Sequence, residues 1–190
     1  LEVPGVGRVE ASLVDASNAV VFVAAERFGK TATESVSDLE ADKKFMADLD
    51  AVRCTAAVAM GLAETPETAS LGNPKIGIVA PAAGSTTLAR TQIAAEDCDL
   101  SARIVSMGQV HRVLPLTGAM CLGVACRIPG SVPNQLVREQ PGDLRLANPS
   151  GVLPVDANVV TGDNGIAAES CTVYRTARPL MAGQVLIPAN

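Results

Sequence analysis

The chain has 190 residues, a formal net charge of −5, 48% hydrophobic residues and a mean hydropathy of +0.28, which exclude a disordered polymer and suffice for a globular core. With no tryptophan, 2% aromatics and an acidic balance, neither a basic groove nor a stacking platform for nucleic acid is available. No apolar run reaches the roughly 18 to 20 residues of a membrane span, and Leu1-Glu2-Val3-Pro4-Gly5 has no signal-peptide character, so a soluble cytoplasmic protein is expected.

In chain order, Gly7 to Val14 and Asn18 to Ala24 are short, Val-rich runs separated by the turn-forming Asp15-Ala16-Ser17, which predicts a hairpin or two sequential strands. Ser37 followed by Glu40 fits a capping box, and Phe45, Leu49, Val52, Ala56 and Met60 then recur at helical spacing. One long amphipathic helix running to Leu62 is expected there. Lys75 to Ala80 is a short strand ended by Pro81, Gly84 to Arg90 reads as loop, and Leu100 to Met107 alternates like another strand.

Thr117 to Ile128 is small and apolar on every side and is stopped by Pro129-Gly130, the profile of a helix surrounded by protein. The last third reads as successive strands over Asp143 to Ala147, Gly151 to Val160, Ile166 to Tyr174 and Gln184 to Ile187. The class is α+β, with strands wrapped around a central buried helix, and residues 1–190 read as a single domain without internal repeats. Leu1 rather than Met stands first and enters a strand almost at once, so a further N-terminal half is expected.

The most informative segment runs from Ser106-Met107-Gly108-Gln109-Val110-His111 to Thr117-Gly118-Ala119, a glycine-containing turn leading into the N-terminus of the buried helix. Free backbone N–H groups and the positive end of the helix dipole suit a carboxylate or phosphate there. The plainer alternative is that Thr117 caps the helix and Gly118 packs it. His111, the one histidine, is the candidate imidazole acid or base, against a surface or hydrogen-bonding role beside Arg112. Asn148-Pro149-Ser150-Gly151 is either a second anion nest or a plain turn, and Asp15 and Asn18 either polar site groups or an Asx turn.

The five cysteines form no C-x-x-C pair, and a zinc site cannot be assembled with one histidine, so no metal ligand is expected. Cys121 and Cys126, inside the apolar helix, read as small buried hydrophobes. Arg175 and Arg178, which follow Tyr174, are open to either carboxylate clamping or exposed ion pairing. No phosphate loop, dinucleotide fingerprint, hydrolase elbow or zincin motif is present.

The ordered series SLVDASNAVVFV, KIGIVAP, SARIVSMGQVH, LTGAMC, IPGSVPNQLV, NPSGVL and YRTARPLMAGQVLIP resembles the C-terminal half of the PrpF family, over nearly the whole chain. The resemblance implies a diaminopimelate-epimerase-like domain, one of two that close on a substrate between opposed helix N-termini. It also implies a cofactor-independent isomerase of a small unsaturated polycarboxylic acid such as 2-methylaconitate, methylitaconate or 4-oxalomesaconate. Asn18, Ser106, Met107, Gly108, His111, Thr117, Gly118, Ala119, Ser150 and Gly151 would then line the substrate side.

Related epimerases place a cysteine two residues before the Thr-Gly-Ala; Pro115 stands there, so the main acid and base are expected in the N-terminal domain of the same enzyme. Ala19 after Asn18, and Asn148 before Pro-Ser-Gly, depart from the family's usual Pro and His. An epimerase of the same fold and a non-catalytic polycarboxylate-binding module remain as alternatives. The expected partners are the substrate, the N-terminal domain and, as an open assembly, a second copy of the chain.

Overall fold

A computed structural model describes residues 1–138, 141–162, 165–174, 177–184 and 186. A small hairpin, β1 (Glu2–Val3) and β2 (Gly7–Arg8), precedes β3 (Ser12–Asp15) and β4 (Ala19–Ala24), which pair antiparallel. Two helices follow, α1 (Val36–Ala41) and α2 (Lys43–Ala59), and then β5 (Lys75–Pro81). The short strands β6 (Ser85–Thr86) and β7 (Gln92–Ile93) pair with each other. β8 (Leu100–Ser106) and β9 (Gln109–Val110) form a hairpin, followed by α3 (Leu116–Arg127) and α4 (Val132–Leu136). The chain continues through β10 (Leu144–Asn148), β11 (Gly151–Gly162) and β12 (Gly165–Val173).

The main sheet has the order β12-β11-β10-β8-β5-β4-β3, with β9 also on β8. The β4–β5 and β8–β10 pairs are parallel and the others antiparallel. Strands from both ends of this order, β3 and β4 at one and β11 and β12 at the other, contact α3. The sheet therefore curls around that helix, as the all-round apolar profile of residues 117–128 implies.

The central strands bury both faces, which explains the near-continuous apolar runs of β4 and β5. Val20, Phe22, Val79, Leu100, Ala102 and Ile104 pack on the α3 side. The alternate residues Val21, Val23, Ile76, Ile78 and Val105 pack with Leu39, Phe45, Leu49 and Val52 of α1 and α2. At the β8–β10 junction the fully buried Asp99 carboxylate receives Arg145 Nη2 at 2.7 Å and Nε at 3.1 Å, a bidentate geometry that fixes the two strands against each other. No helix among the described residues is long and apolar enough to cross a membrane.

Four sequence expectations are corrected or extended. The single helix to Leu62 is two helices, because Asp42 leaves helical geometry (φ −78°, ψ 86°) and caps α2 by accepting from Phe45 N at 3.0 Å. The cap of α1 is Ser35, which accepts from Asp38 N, rather than Ser37; Glu40 instead accepts from Val110 N at 3.0 Å, tying α1 to β9. The run Gly7 to Val14 is broken into β2 and β3. α4 was not anticipated: Ser131 caps it and Pro133 sits in its first turn, where a missing N–H costs no helical hydrogen bond. Of the expected strand Gln184 to Ile187, Val185 and Ile187 lie outside the described residues, and Gln184 is in no regular structure.

Close approach of α3 to the sheet rests on two glycines. A Cβ on Gly118 would stand 2.9 Å from Ile104 Cδ1, and one on Gly123 would stand 2.6 Å from Val155 Cγ1. In an exposed helix, Gly→Ala gains about 1 kcal/mol of propensity. At Gly123 overpacking of about 1–3 kcal/mol outweighs that gain, because Val155 is β-branched and fully buried. We expect Gly123→Ala to lower the urea midpoint and Gly123→Ala/Val155→Ala to recover part of the loss; additive losses in the double variant would show that the contact is not the cause.

Candidate functional site

Strand register brings the separate sequence candidates to one end of the sheet. β8 ends at Ser106, and the parallel β10 ends on the same side in the Asn148–Gly151 turn. β4 and β5 run opposite to β8, so their starts, and with them the turn carrying Asn18, fall at that end too. The β8–β9 turn is made by Met107 (φ 52°) and Gly108 (φ 72°), both left-handed, the two-residue geometry that matches strand twist. The connection from β9 then passes the β10–β11 turn, where the Ser150 hydroxyl donates to Arg112 O at 2.6 Å, and enters α3.

The start of α3 is open. Pro115, not Thr117, occupies the cap position; it offers no side-chain oxygen, and its fixed φ presets the first turn. The first helical bond runs from Ala119 N to Pro115 O at 2.8 Å, so the N–H groups of Leu116, Thr117 and Gly118 have no partner within the helix. Of the two readings of Thr117, the helix cap is therefore excluded and its hydroxyl is left to a side-chain role. Thr117 Oγ1 accepts from Asn18 Nδ2 at 3.2 Å, which leaves the hydroxyl proton available to an acceptor in front of the helix. Ser17, at φ 69°, reaches Met120 Sδ, so the β3–β4 turn buttresses the same helical turn.

Gly118 and Ala119 are buried, and Gly118 backs onto Ile104, so its lack of a side chain serves packing first. Asn148 is buried and accepts from Ser150 N at 3.0 Å, an Asx turn holding Ser150 beside Arg112. Gly151 has φ 145°, which favours glycine there. Met107 is exposed at 70%, whereas Ser106 is at 9%. Arg178 and Tyr174 are exposed, and Arg175 lies outside the described residues.

His111 is placed by its backbone: its N donates to Ile104 O at 2.8 Å, which sets it opposite Ile104 across the hairpin. Its Nε2 is buried and has no hydrogen-bond partner among the described residues. Burial, and secondarily the charge of Lys75, hold the ring below its ordinary pKa. Ser106, Met107 and His111 line a cavity of about 460 Å3 with Glu40, Gln109, Val110 and Arg112, on the α1 flank of the hairpin, whereas Thr117, Asn18 and Ser150 do not line it.

Burial raises every thiol: Cys121 to about 11 and Cys126 to about 12, with Cys54, Cys98 and Cys171 also pushed up. They are protonated at neutral pH and inert as bases. Among the described residues no three His, Cys, Asp or Glu side chains gather to hold a metal ion. A residue that motif reading passed over is Lys75, which the fold brings to the same end as the first residue of β5. No local pattern marks it, because only strand pairing shows which residues it adjoins.

The family model described as PrpF protein matches residues 1–188. The chain is 36% identical over 191 residues to the 2-methyl-aconitate isomerase of Shewanella oneidensis, covering 99% of this chain and 48% of that protein. It is 31% identical to the 3-methylitaconate isomerase of Eubacterium barkeri, covering 95% and 48%. Among solved structures, a methylitaconate-delta-isomerase superposes with a TM-score of 0.82 at 26% identity, covering 92% of this chain and 47% of that one. The chain thus spans about half the length of the curated relatives it matches.

The depressed pKa of His111 has a thermodynamic consequence. The unfolded chain takes up the proton first, so the stability due to the neutral ring is complete above about pH 6.5 and is lost as pH falls through and below it. Urea midpoints should therefore decline between about pH 7.5 and 5.5 in the parent and decline less in His111→Asn. Parallel pH profiles would show that the ring is not buried in its neutral form.

Proposed function

The chain belongs to the PrpF family, and on that premise we propose that it supplies the carboxylate-binding half of a cofactor-independent isomerase site. The substrate is a small unsaturated di- or tricarboxylic acid of the 2-methylaconitate or 3-methylitaconate kind, the acids for which its relatives are named. The observation that carries this reading is the uncapped start of α3, where three backbone N–H groups and the Thr117 hydroxyl stand at the same end of the sheet as Asn18 and Ser150. Such a terminus favours anions through its aligned peptide dipoles.

These acids isomerise when a proton leaves an allylic carbon and another is delivered elsewhere on the conjugated system, so that the double bond moves or its geometry changes. The intermediate is a dienolate, whose added charge is delocalised onto a conjugated carboxylate. Fixed donors aimed at that carboxylate stabilise the charge as it develops, and they need no reorganisation to do so. Proton transfer is the whole reaction, so it requires neither an organic cofactor nor a metal.

The raised thiols, with Pro115 at the position where related epimerases carry a cysteine, support assigning the acid and base to the part of the family's length that this chain does not span. Pro115 likewise weighs against the two-cysteine epimerase alternative. The division of labour is thus binding here and proton transfer opposite.

The test uses the full-length protein in D2O with 2-methylaconitate and 3-methylitaconate. Deuterium should enter at the carbon that receives the returning proton, together with movement or cis–trans change of the double bond. Thr117→Val is the better probe than a bulky residue at Gly118, since the latter would also strike Ile104. Loss of one charge-assisted hydrogen bond, about 1.5–3 kcal/mol, should lower kcat/KM roughly tenfold to a hundredfold. Exchange at a stereocentre without double-bond movement would favour an epimerase, and binding without exchange would leave only a polycarboxylate-binding module.

A further inference from the structure

The four lysines of the chain do not have equivalent surroundings. Lys30 and Lys44 pair with Asp42 and Asp48, and Lys43 Nζ donates to Glu40 O. Lys75 is half-buried and, among the described residues, has no carboxylate or hydrogen-bond acceptor. A half-buried lysine with no carboxylate beside it lays its stem along the fold and leaves its ammonium free to receive an anion.

Its position follows from strand alternation. A Cβ at Gly77 would touch Phe22 and Ile104, both in the α3-side core, whereas Ile76 and Ile78 pack toward α2. Odd-numbered residues of β5 therefore face α3, and Lys75 is among them. Across the sheet, Gly77 pairs Ile104 and Phe22, and His111 N bonds to Ile104 O, which makes one row of Phe22, Gly77, Ile104 and His111. Two residues toward the sheet end lies the next row, Val20, Lys75, Ser106 and Gln109. Lys75 falls opposite Ser106 one step past the last paired residues, a separation at which cross-strand side chains meet.

α3 begins over the first of these rows, since Gly118 backs onto Ile104. The second row therefore lies in front of the helix terminus, where an anion bound to the free N–H groups would sit. We propose that Lys75 is the cationic anchor of the carboxylate site, its ammonium and the Ser106 hydroxyl receiving one substrate carboxylate in front of the first turn of α3. The inference rests on the carboxylate-site reading above and adds to it the one full positive charge that the backbone cradle lacks. The charge of Lys75 also bears on the His111 ring, as its place at this end requires.

The test is calorimetric titration of the full-length protein with cis-aconitate, three carboxylates, and itaconate, two, at low and high salt. Lys75→Met should weaken cis-aconitate binding about tenfold or more, flatten its salt dependence and leave the thermal midpoint unchanged or raised. Lys75→Arg should restore most of the affinity, which a loss of packing would not allow. If Lys75→Met binds like the parent while Thr117→Val binds weakly, the cradle stands and the anchor role of Lys75 is overturned. If the parent binds neither acid, the carboxylate site itself fails and the anchor with it.

Discussion

A strand buried on both faces needs a cover on each, and β8 obtains the α3 cover because hydrogen atoms stand where side chains would be at 118 and 123. With Ile104 behind Gly118 and Val155 behind Gly123, the helix lies close against β8 on one turn and against β11 on another. Strands from both ends of the sheet order can then reach the same helix, and the sheet curls. This contact also fixes where the helix begins. The Gly118 contact leaves Leu116 and Thr117 just past Ile104, at the sheet edge, and Pro115 supplies a preset entry without a side-chain cap. The openness of the terminus is thus a consequence of how the core is packed.

Electrostatic magnitudes decide what such a terminus can do alone. A helix dipole contributes about 0.3–1 kcal/mol to an exposed anion and up to about 2 kcal/mol when partly buried. Even millimolar binding corresponds to about 4 kcal/mol. The dipole therefore orients a carboxylate more than it holds one, and affinity has to come from further donors and from charge. Asn18, Thr117, Ser150 and the chain turning past Arg112 are held at this end by bonds between segments far apart in sequence.

Local chemistry was readable where one element contains its own explanation. The all-round small apolar run of α3, the short Val- and Ile-rich runs of β4 and β5, the alternation of β8 and the inert thiols in α3 follow from burial and periodicity alone. Reading failed where a residue answers to a distant partner. Glu40 looked like half of a capping box and instead serves Val110, 70 residues away. Asp42 looked like one more polar position in a long helix and instead breaks it, because Ser35 and Asp42 each start a helix of their own.

The same division runs through the site. The order of its motifs along the chain carried the family, and with it the expectation that Asn18, Ser106 to His111, Thr117 to Ala119 and Ser150-Gly151 belong together. That they do meet at one end is decided by the parallel β8–β10 and β4–β5 pairings, which no local pattern encodes. Tertiary structure alone moved the helix cap from Thr117 to Pro115, assigned Gly118 to packing, left His111 Nε2 enclosed without a partner and set Lys75 beside Ser106. Sequence determines which residues favour strand, helix or turn because those preferences act over a few residues. Which side chains face one another depends on long-range pairing and close packing, and these exist only once the chain has folded.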